Sequence, residues 1–176
     1  KYDSVGLIWS NLALQWCSDL NRTFAEMHRI LRTDGLLMFS TFGPDTQKEL
    51  RQSFAKTDSY RHVNRFVDMH DIGDALTRAG FSAPVLDVEH YTMTYDDVKG
   101  VMKDLKSIGA HNATSGRNRG LAGRGFLNNL TQQYEQFRTQ GKLPATFEVI
   151  YGHAWRPISM RPAGQDFSPV QFVKRK

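Results

Sequence analysis

The chain has 176 residues with 40% hydrophobic and 11% aromatic content, enough for one domain with a substantial core and too apolar for a disordered chain. Its net charge of +5 suits an acidic partner, whether nucleic acid, an acidic protein or a phosphorylated cofactor, without choosing among them. A single cysteine, Cys17, excludes an intrachain disulfide, no Cys/His cluster has metal-ligand spacing and no stretch is long and apolar enough to span a bilayer, so a reducing, cytoplasmic setting fits.

The opening "KYDSVGLIWS" has no initiator Met and no signal peptide, and it enters a buried-type strand almost at once, so the chain is expected to begin inside a domain. Val5, Leu7, Ile8 and Trp9 form a short apolar run, which predicts a strand covered on both faces. Phe24, Met27, Ile30 and Leu31 recur at helical spacing, with Asp19 or Asn21 as cap and Gly35 past the end. "LLMFST", Leu36 to Thr41, is a second buried strand. Strand, helix, strand at this separation is a βαβ unit, whose crossover makes the two strands parallel.

"TQKELRQSFAK", within residues 43–67, predicts a surface helix. Met69, Ile72, Ala75, Leu76 and Ala79 mark an amphipathic helix stopped by Gly80, and "APVLDVEHYTMTY" reads as a strand. Val98, Val101, Met102, Leu105 and Ile108 give a further helix, followed by the Gly- and Arg-rich "GAHNATSGRNRGLAGRG". A helix carrying Phe126, Leu130, Tyr134 and Phe137 then runs to about Gly141. In the last strand Phe147, Val149, Tyr151, His153 and Trp155 alternate with Glu148, Ile150, Gly152 and Ala154. Beyond Pro157 a tail ending "VKRK" is expected to be mobile.

In open α/β sheets, ligands bind beyond the carboxyl ends of parallel strands. Those ends here are Ser10, Asn11 and Leu12, then Thr41, Phe42 and Gly43. Ser10 and Asn11 offer hydrogen bonds, while Leu12, Gln15 and Trp16 can wall an apolar pocket; the same residues also fit ordinary core packing, with Asn11 as a turn residue. Cys17, among apolar neighbours, reads as a buried structural thiol and His153 as a satisfied half-buried histidine; His28 and His62, in helical surface regions, receive no role. Between Gly109 and Gly125, Arg117, Arg119 and Arg124 stand among His111, Asn112, Thr114 and Asn118. Guanidinium groups on flexible backbone suit carboxylate or phosphate recognition, and a solvated loop is the plain alternative. No Gly-Lys-Ser/Thr phosphate loop is present.

"YDSVGLIWSNLALQW" with "AEMHRILRTDGLLMFSTFGPDTQKELR" resembles the second half of a class I S-adenosylmethionine-dependent methyltransferase, starting at its fourth strand. "GAHN" through "GLAGRG", then "LPATFEVIYGHAWRP", resembles the malonyl-[acyl-carrier-protein] O-methyltransferases of biotin biosynthesis. The resemblance implies a Rossmann-like α/β sheet with its last strand antiparallel and an inserted helical lid. Residues 1–95 would form the C-terminal half of the core, 96–143 the lid, 144–157 the final strand and 158–176 the tail.

It further implies methyl transfer from S-adenosylmethionine to the free carboxylate of malonyl-acyl-carrier protein. Ser10, Asn11, Leu12 and Gln15 would line the cofactor, and Trp16, Thr41, Phe42, His111, Asn112, Arg117, Arg119 and Arg124 the acceptor, with no catalytic acid or base and no metal. The family's Gly-rich cofactor turn and its ribose-binding acidic residue have no counterpart in this sequence, so the chain is expected to be a C-terminal portion that binds the cofactor poorly alone. Its open sheet edge would favour homo-oligomers. The rival within the fold is the arginine hydroxylase of complex I assembly; a basic nucleic-acid-binding module is the rival outside it, disfavoured because the arginines cluster in one loop and the tail.

Overall fold

A computed structural model describes residues 3–57, 66–107 and 124–157. The elements run β1 (Val5–Asn11), α1 (Leu20–Ile30), β2 (Leu31–Phe42), α2 (Lys48–Ala55), α3 (Met69–Arg78), β3 (Ser82–Tyr95), α4 (Val98–Ser107), α5 (Arg124–Glu135) and β4 (Leu143–Trp155), with one 3-10 turn at Leu14–Trp16. The strands form one sheet in the order β1-β2-β4-β3. β1 and β2 are parallel, as the βαβ reading requires, and β4 enters between β2 and β3 antiparallel to both.

Alternation along each strand sorts the side chains into two faces. Ile8, Leu37, Phe39, Leu86, Ile150 and Ala154 meet α1 and α3 through Phe24, Ile72, Ala75 and Leu76, forming the main core. Phe24, Leu37, Leu76 and Ile150 are fully buried, and such side chains contribute about 1.5–3 kcal/mol each. Of the two candidate caps, Asp19 starts α1: its carboxylate accepts from the Arg22 N–H at 3.0 Å. α3 begins at Asp68, whose carboxylate accepts from His70 N–H at 2.8 Å.

The opposite face differs from the expectation for β1. Trp9 pairs with Met38, Met38 with His153 and His153 with Val85, which lays one row across all the strands. Trp9 is 76% exposed, and Leu7, Met38 and Val85 are exposed as well, so among the described residues β1 is covered on one face only. An apolar run reports that a strand is apolar, not which layers lie over it.

A second cluster joins Leu50 and Phe54 of α2 to Val98, Val101, Leu105, Leu130, Tyr134, Leu143 and Ala145. The expected surface helix is therefore half core: Glu49, Leu50, Ser53 and Phe54 are buried. Their cover is α5 and β4, with the Phe54 and Phe126 rings stacked at 6.0 Å and Glu49 hydrogen-bonded to Thr146. α5 ends at Glu135, short of Gly141, because residues 136–142 turn into β4. Expectations for His62, the Gly/Arg-rich loop and the tail beyond Pro157 fall on residues outside the described ones.

Candidate functional site at the parallel strand tips

The chain leaves β1 through Leu12, a residue with a Cβ held at φ 46°. The conformation is held by hydrogen bonds to β2. Leu12 N–H donates to Ser40 O at 3.0 Å and to Ser40 Oγ at 3.1 Å, while the Ser40 hydroxyl donates to Asn11 Oδ1 at 2.5 Å. The 3-10 turn then brings Gln15 back over the tips: its Nε2 donates to Leu12 O at 2.6 Å, and Thr41 Oγ1 donates to its Oε1 at 3.3 Å. The stretch Ser10 to Trp16 is thus a hydrogen-bonded turn that ties the end of β1 to the end of β2.

Gln15, Thr41 and Phe42 border one small cavity at the tips, whereas Asn11 opens onto the other face of the sheet and Leu12 links the two. Ser10 is separated from Asn11, because successive strand residues face opposite sides. Asn11 shares a groove of about 440 Å³ on the bare sheet face with Trp9, Met38, Tyr151 and His153. Thr41 is 4% exposed, and Trp16, at 49%, stands at the end of the 3-10 turn. Cys17 departs from its expectation: the thiol residue is exposed, since the chain is extended there between the 3-10 turn and α1. With Gln15, Thr41, Phe42, Phe66 and Ile72 it borders a cavity of about 60 Å³ beside the tips. His111, Asn112, Arg117 and Arg119 lie outside the described residues, and Arg124 is placed only as the first residue of α5.

The loop after β2 forms the other wall. Phe42 stands 5.6 Å from the Phe66 ring and 5.9 Å from that of Phe147. Gly43 N–H donates to Glu148 O at 2.9 Å, Asp45 N–H to Glu148 Oε2 at 2.5 Å and Thr46 Oγ1 to Glu148 O at 2.9 Å. Arg51 closes the loop from α2, donating to Pro44 O at 2.5 Å and Thr46 O at 3.4 Å. It borders a cavity of about 690 Å³ with Pro44, Phe66, Val67, Asp68 and Asp71.

Asp45, His90 and Glu148 place potential metal-ligand atoms within 4.8 Å of one another. The two carboxylates are already engaged: Glu148 Oε2 accepts from Asp45 N–H, and Lys48 Nζ lies 3.0 Å from Asp45 Oδ2. An ammonium on the carboxylate opposes a cation there, so the cluster reads as a clamp on the loop.

Elsewhere His28 also differs from its surface reading. It packs edge-on against Phe81 at 5.2 Å, with Nε2 buried and, among the described residues, lacking a hydrogen-bond partner. Burial, then the charge of Arg156, lowers its pKa below the usual 6.5. Ser40, Phe66, Phe147 and Glu148 are not among the site residues expected from sequence. The polar Ser-Thr pair ending "LLMFST" was a signal for Ser40; the others depend on pairing and on a distant loop.

A parallel β1/β2 pair with a polar turn at its tips and an antiparallel strand inserted beyond it is an open, mixed α/β sheet of the kind seen in class I methyltransferase folds. Comparisons agree. Residues 1–39 match the methyltransferase domain family. The chain is 61% identical over 172 residues to the malonyl-[acyl-carrier protein] O-methyltransferase of Methylovorus sp. (strain MP688), covering 98% of this chain and 58% of that protein. It is 65% identical over 152 residues to the protein of the same name from Nitrosospira multiformis, covering 86% and 50%. The chain thus spans about half the length of the curated relatives it matches. Among solved structures, a proposed methyltransferase from Bacillus halodurans and the YcgJ protein from Bacillus subtilis each superpose with a TM-score of 0.57 over 89% of this chain and 66% of theirs, at 16% and 11% identity. At such identities the likeness is one of fold.

Proposed function

We propose that this chain supplies the acceptor side of an S-adenosylmethionine-dependent carboxyl methyltransferase acting on the malonyl group of an acyl-carrier protein, in the cytoplasm. The observation that carries the reading is the 61% identity over 98% of the chain to a protein of that name. The strand-tip geometry supports it, since loops at the carboxyl ends of parallel strands are where this class of sheet holds ligands.

Fit to the cofactor is tested by the turn itself. Asn11 Oδ1 and Leu12 N–H are satisfied internally by Ser40, which leaves the Asn11 amide NH₂ and the rim of the Gln15 turn to face a ligand. These residues fit one wall of a cofactor pocket. When bound, the cofactor supplies an electrophilic methyl on a sulfonium. A malonyl carboxylate is ionised near neutral pH, so the chain need not remove a proton; its task is in-line positioning. Phe42, Phe66 and Phe147 offer an apolar wall for the acyl thioester, and Arg117, Arg119 and Arg124 suit the phosphopantetheine phosphate or the acidic carrier.

The division into core (1–95), lid (96–143), final strand (144–157) and tail (158–176) belongs to the same proposal. Its support is the separate apolar cluster that joins α4 and α5 to α2. The open β1 edge and the bare sheet face support self-association of the isolated chain.

Radiolabelled methyl transfer to malonyl-carrier protein tests the reading. The chain would be assayed alone and joined to the part of the Methylovorus protein that it does not match, with an arginine peptide as alternative acceptor. Transfer to the carrier by the joined protein, impaired by combined Arg117→Ala, Arg119→Ala and Arg124→Ala, is the expected result. No transfer to the carrier by the joined protein would refute the assignment.

A further inference from the structure

We infer that the buried carboxylates of Glu49 and Glu148 are positioning residues that fix the acceptor wall by tying the 43–47 loop and the start of α2 to β4; the inference rests on the methyl-transfer reading of the strand-tip site. Both side chains are buried, with Glu49 6% and Glu148 8% exposed. Among the described residues neither forms an ion pair with a lysine or arginine. Their charge is met by hydrogen bonds instead. Glu49 accepts from Thr146 N–H at 3.0 Å and from the Thr146 hydroxyl at 2.5 Å, one bond to each oxygen. Glu148 accepts from Asp45 N–H, and its own N–H donates to Thr46 Oγ1 at 3.0 Å.

The chemistry of the contacts explains why carboxylates stand here. Thr146 presents its N–H and its hydroxyl to Glu49, and a carboxylate accepts both in charge-assisted bonds; an amide would accept from the N–H and donate its NH₂ to the hydroxyl oxygen, leaving two weaker neutral bonds. A neutral apolar contact would join loop and strand without burying charge, so two hydrogen-bonded carboxylates point to a geometric requirement. The loop has been shaped to them. A Cβ on Gly43 would lie 2.5 Å from Glu148 Cδ, so the carboxylate reaches the loop only across a glycine. Gln47 is held at φ 58°, ψ 34°, a conformation unfavourable for a residue with a Cβ, by a 2.6 Å bond from its N–H to Thr146 O.

What the clamp sets is Phe147. It lies between Thr146 and Glu148 in β4, so both bonded neighbours point away from its face and fix its direction. The Phe147 ring in turn packs on Phe42. α2, anchored by Glu49, carries Leu50 and Phe54, on which α5 packs, so the same two carboxylates register the α4/α5 pair against the strand tips.

The test has two arms. In this chain, Glu148→Gln and Glu49→Gln should speed hydrogen exchange at the Asp45 and Gln47 amides by on the order of tenfold or more, with the far-UV spectrum unchanged. In the chain joined to the unmatched part of the Methylovorus protein, each should raise KM for malonyl-carrier protein roughly tenfold, leave the cofactor dissociation constant within about twofold, and be partly rescued by Glu148→Asp or Glu49→Asp. Exchange at the unsubstituted rate, or faster exchange with an unmoved KM, would overturn the inference. If the joined protein with unsubstituted glutamates transfers no methyl, the reaction reading fails, and the exchange arm alone decides the clamp. Should a glutamine variant not fold, Thr146→Val removes the hydroxyl donor and keeps the backbone one, with the same expectations at smaller amplitude.

Discussion

Gly152 of β4 lies against the ring of Phe39 on β2: a Cβ at position 152 would overlap that ring and come within 2.7 Å of Leu86 Cδ2. The three residues are register partners across adjacent strands, so the absent side chain is what lets Phe39 lie over the sheet and reach Phe24, 5.8 Å away. Gly152→Ala should cost about 1–3 kcal/mol of stability by overpacking. Phe39→Leu in the Gly152→Ala background should recover part of that loss. Urea unfolding of the two singles and the double checks this, and strictly additive losses would contradict the contact.

Tyr134 is fully buried, yet its hydroxyl donates to Pro144 O at 2.9 Å where the chain enters β4. Tyr134→Phe should cost about 1 kcal/mol at neutral pH. Burial, and then the Glu49 carboxylate, raises the phenol pKa well above its usual 10.0. In the unfolded chain the phenol ionises near 10.0 while the folded one stays protonated, so stability should fall as pH rises past that value. Unfolding free energies measured between neutral and strongly alkaline pH should show a decline that Tyr134→Phe reduces.

His28 titrates with the opposite sign. Its folded pKa lies below the usual 6.5 because burial, and then Arg156, disfavours the charged ring. As pH falls below 6.5 the unfolded chain takes up a proton that the folded chain resists, so stability is full above 6.5 and declines toward the folded pKa. His28→Phe should flatten this limb while keeping the edge-on contact with Phe81. An unchanged pH profile in that variant would show that another group carries it.

Trp9, 76% exposed beside Met38 and Val85, predicts association of the isolated chain at high concentration. Light scattering behind size exclusion should report a mass that grows with concentration, and Trp9→Lys should return it toward the monomer. A monomer at every concentration would show that the bare face tolerates water.

Asp68 gives an acid-side check on α3. The His70 backbone N–H, and then the His70 ring, hold its carboxyl below the usual 3.8. The cap is therefore at full strength above 3.8 and is lost as pH falls through the lower folded value. Asp68→Asn should remove that dependence, read by helicity against pH.

Residue pattern alone placed most elements of the fold. Asp19 before a 3.6-residue apolar period set α1, alternation set β4, and a strand-helix-strand spacing required the parallel β1/β2 pair, because these signals act over a few residues. The tips of those strands were legible as a candidate site for the same reason. Burial was not, since it depends on what lies above a residue: Trp9 and Cys17 are exposed, while Glu49 is buried against β4 and Phe54 under α5, both distant in sequence. The insertion of β4 between β2 and β3 brought Glu148 to Gly43 and Thr146 to Glu49, across about a hundred residues in each case. No local period encodes such contacts; they exist only once the sheet order and register are fixed.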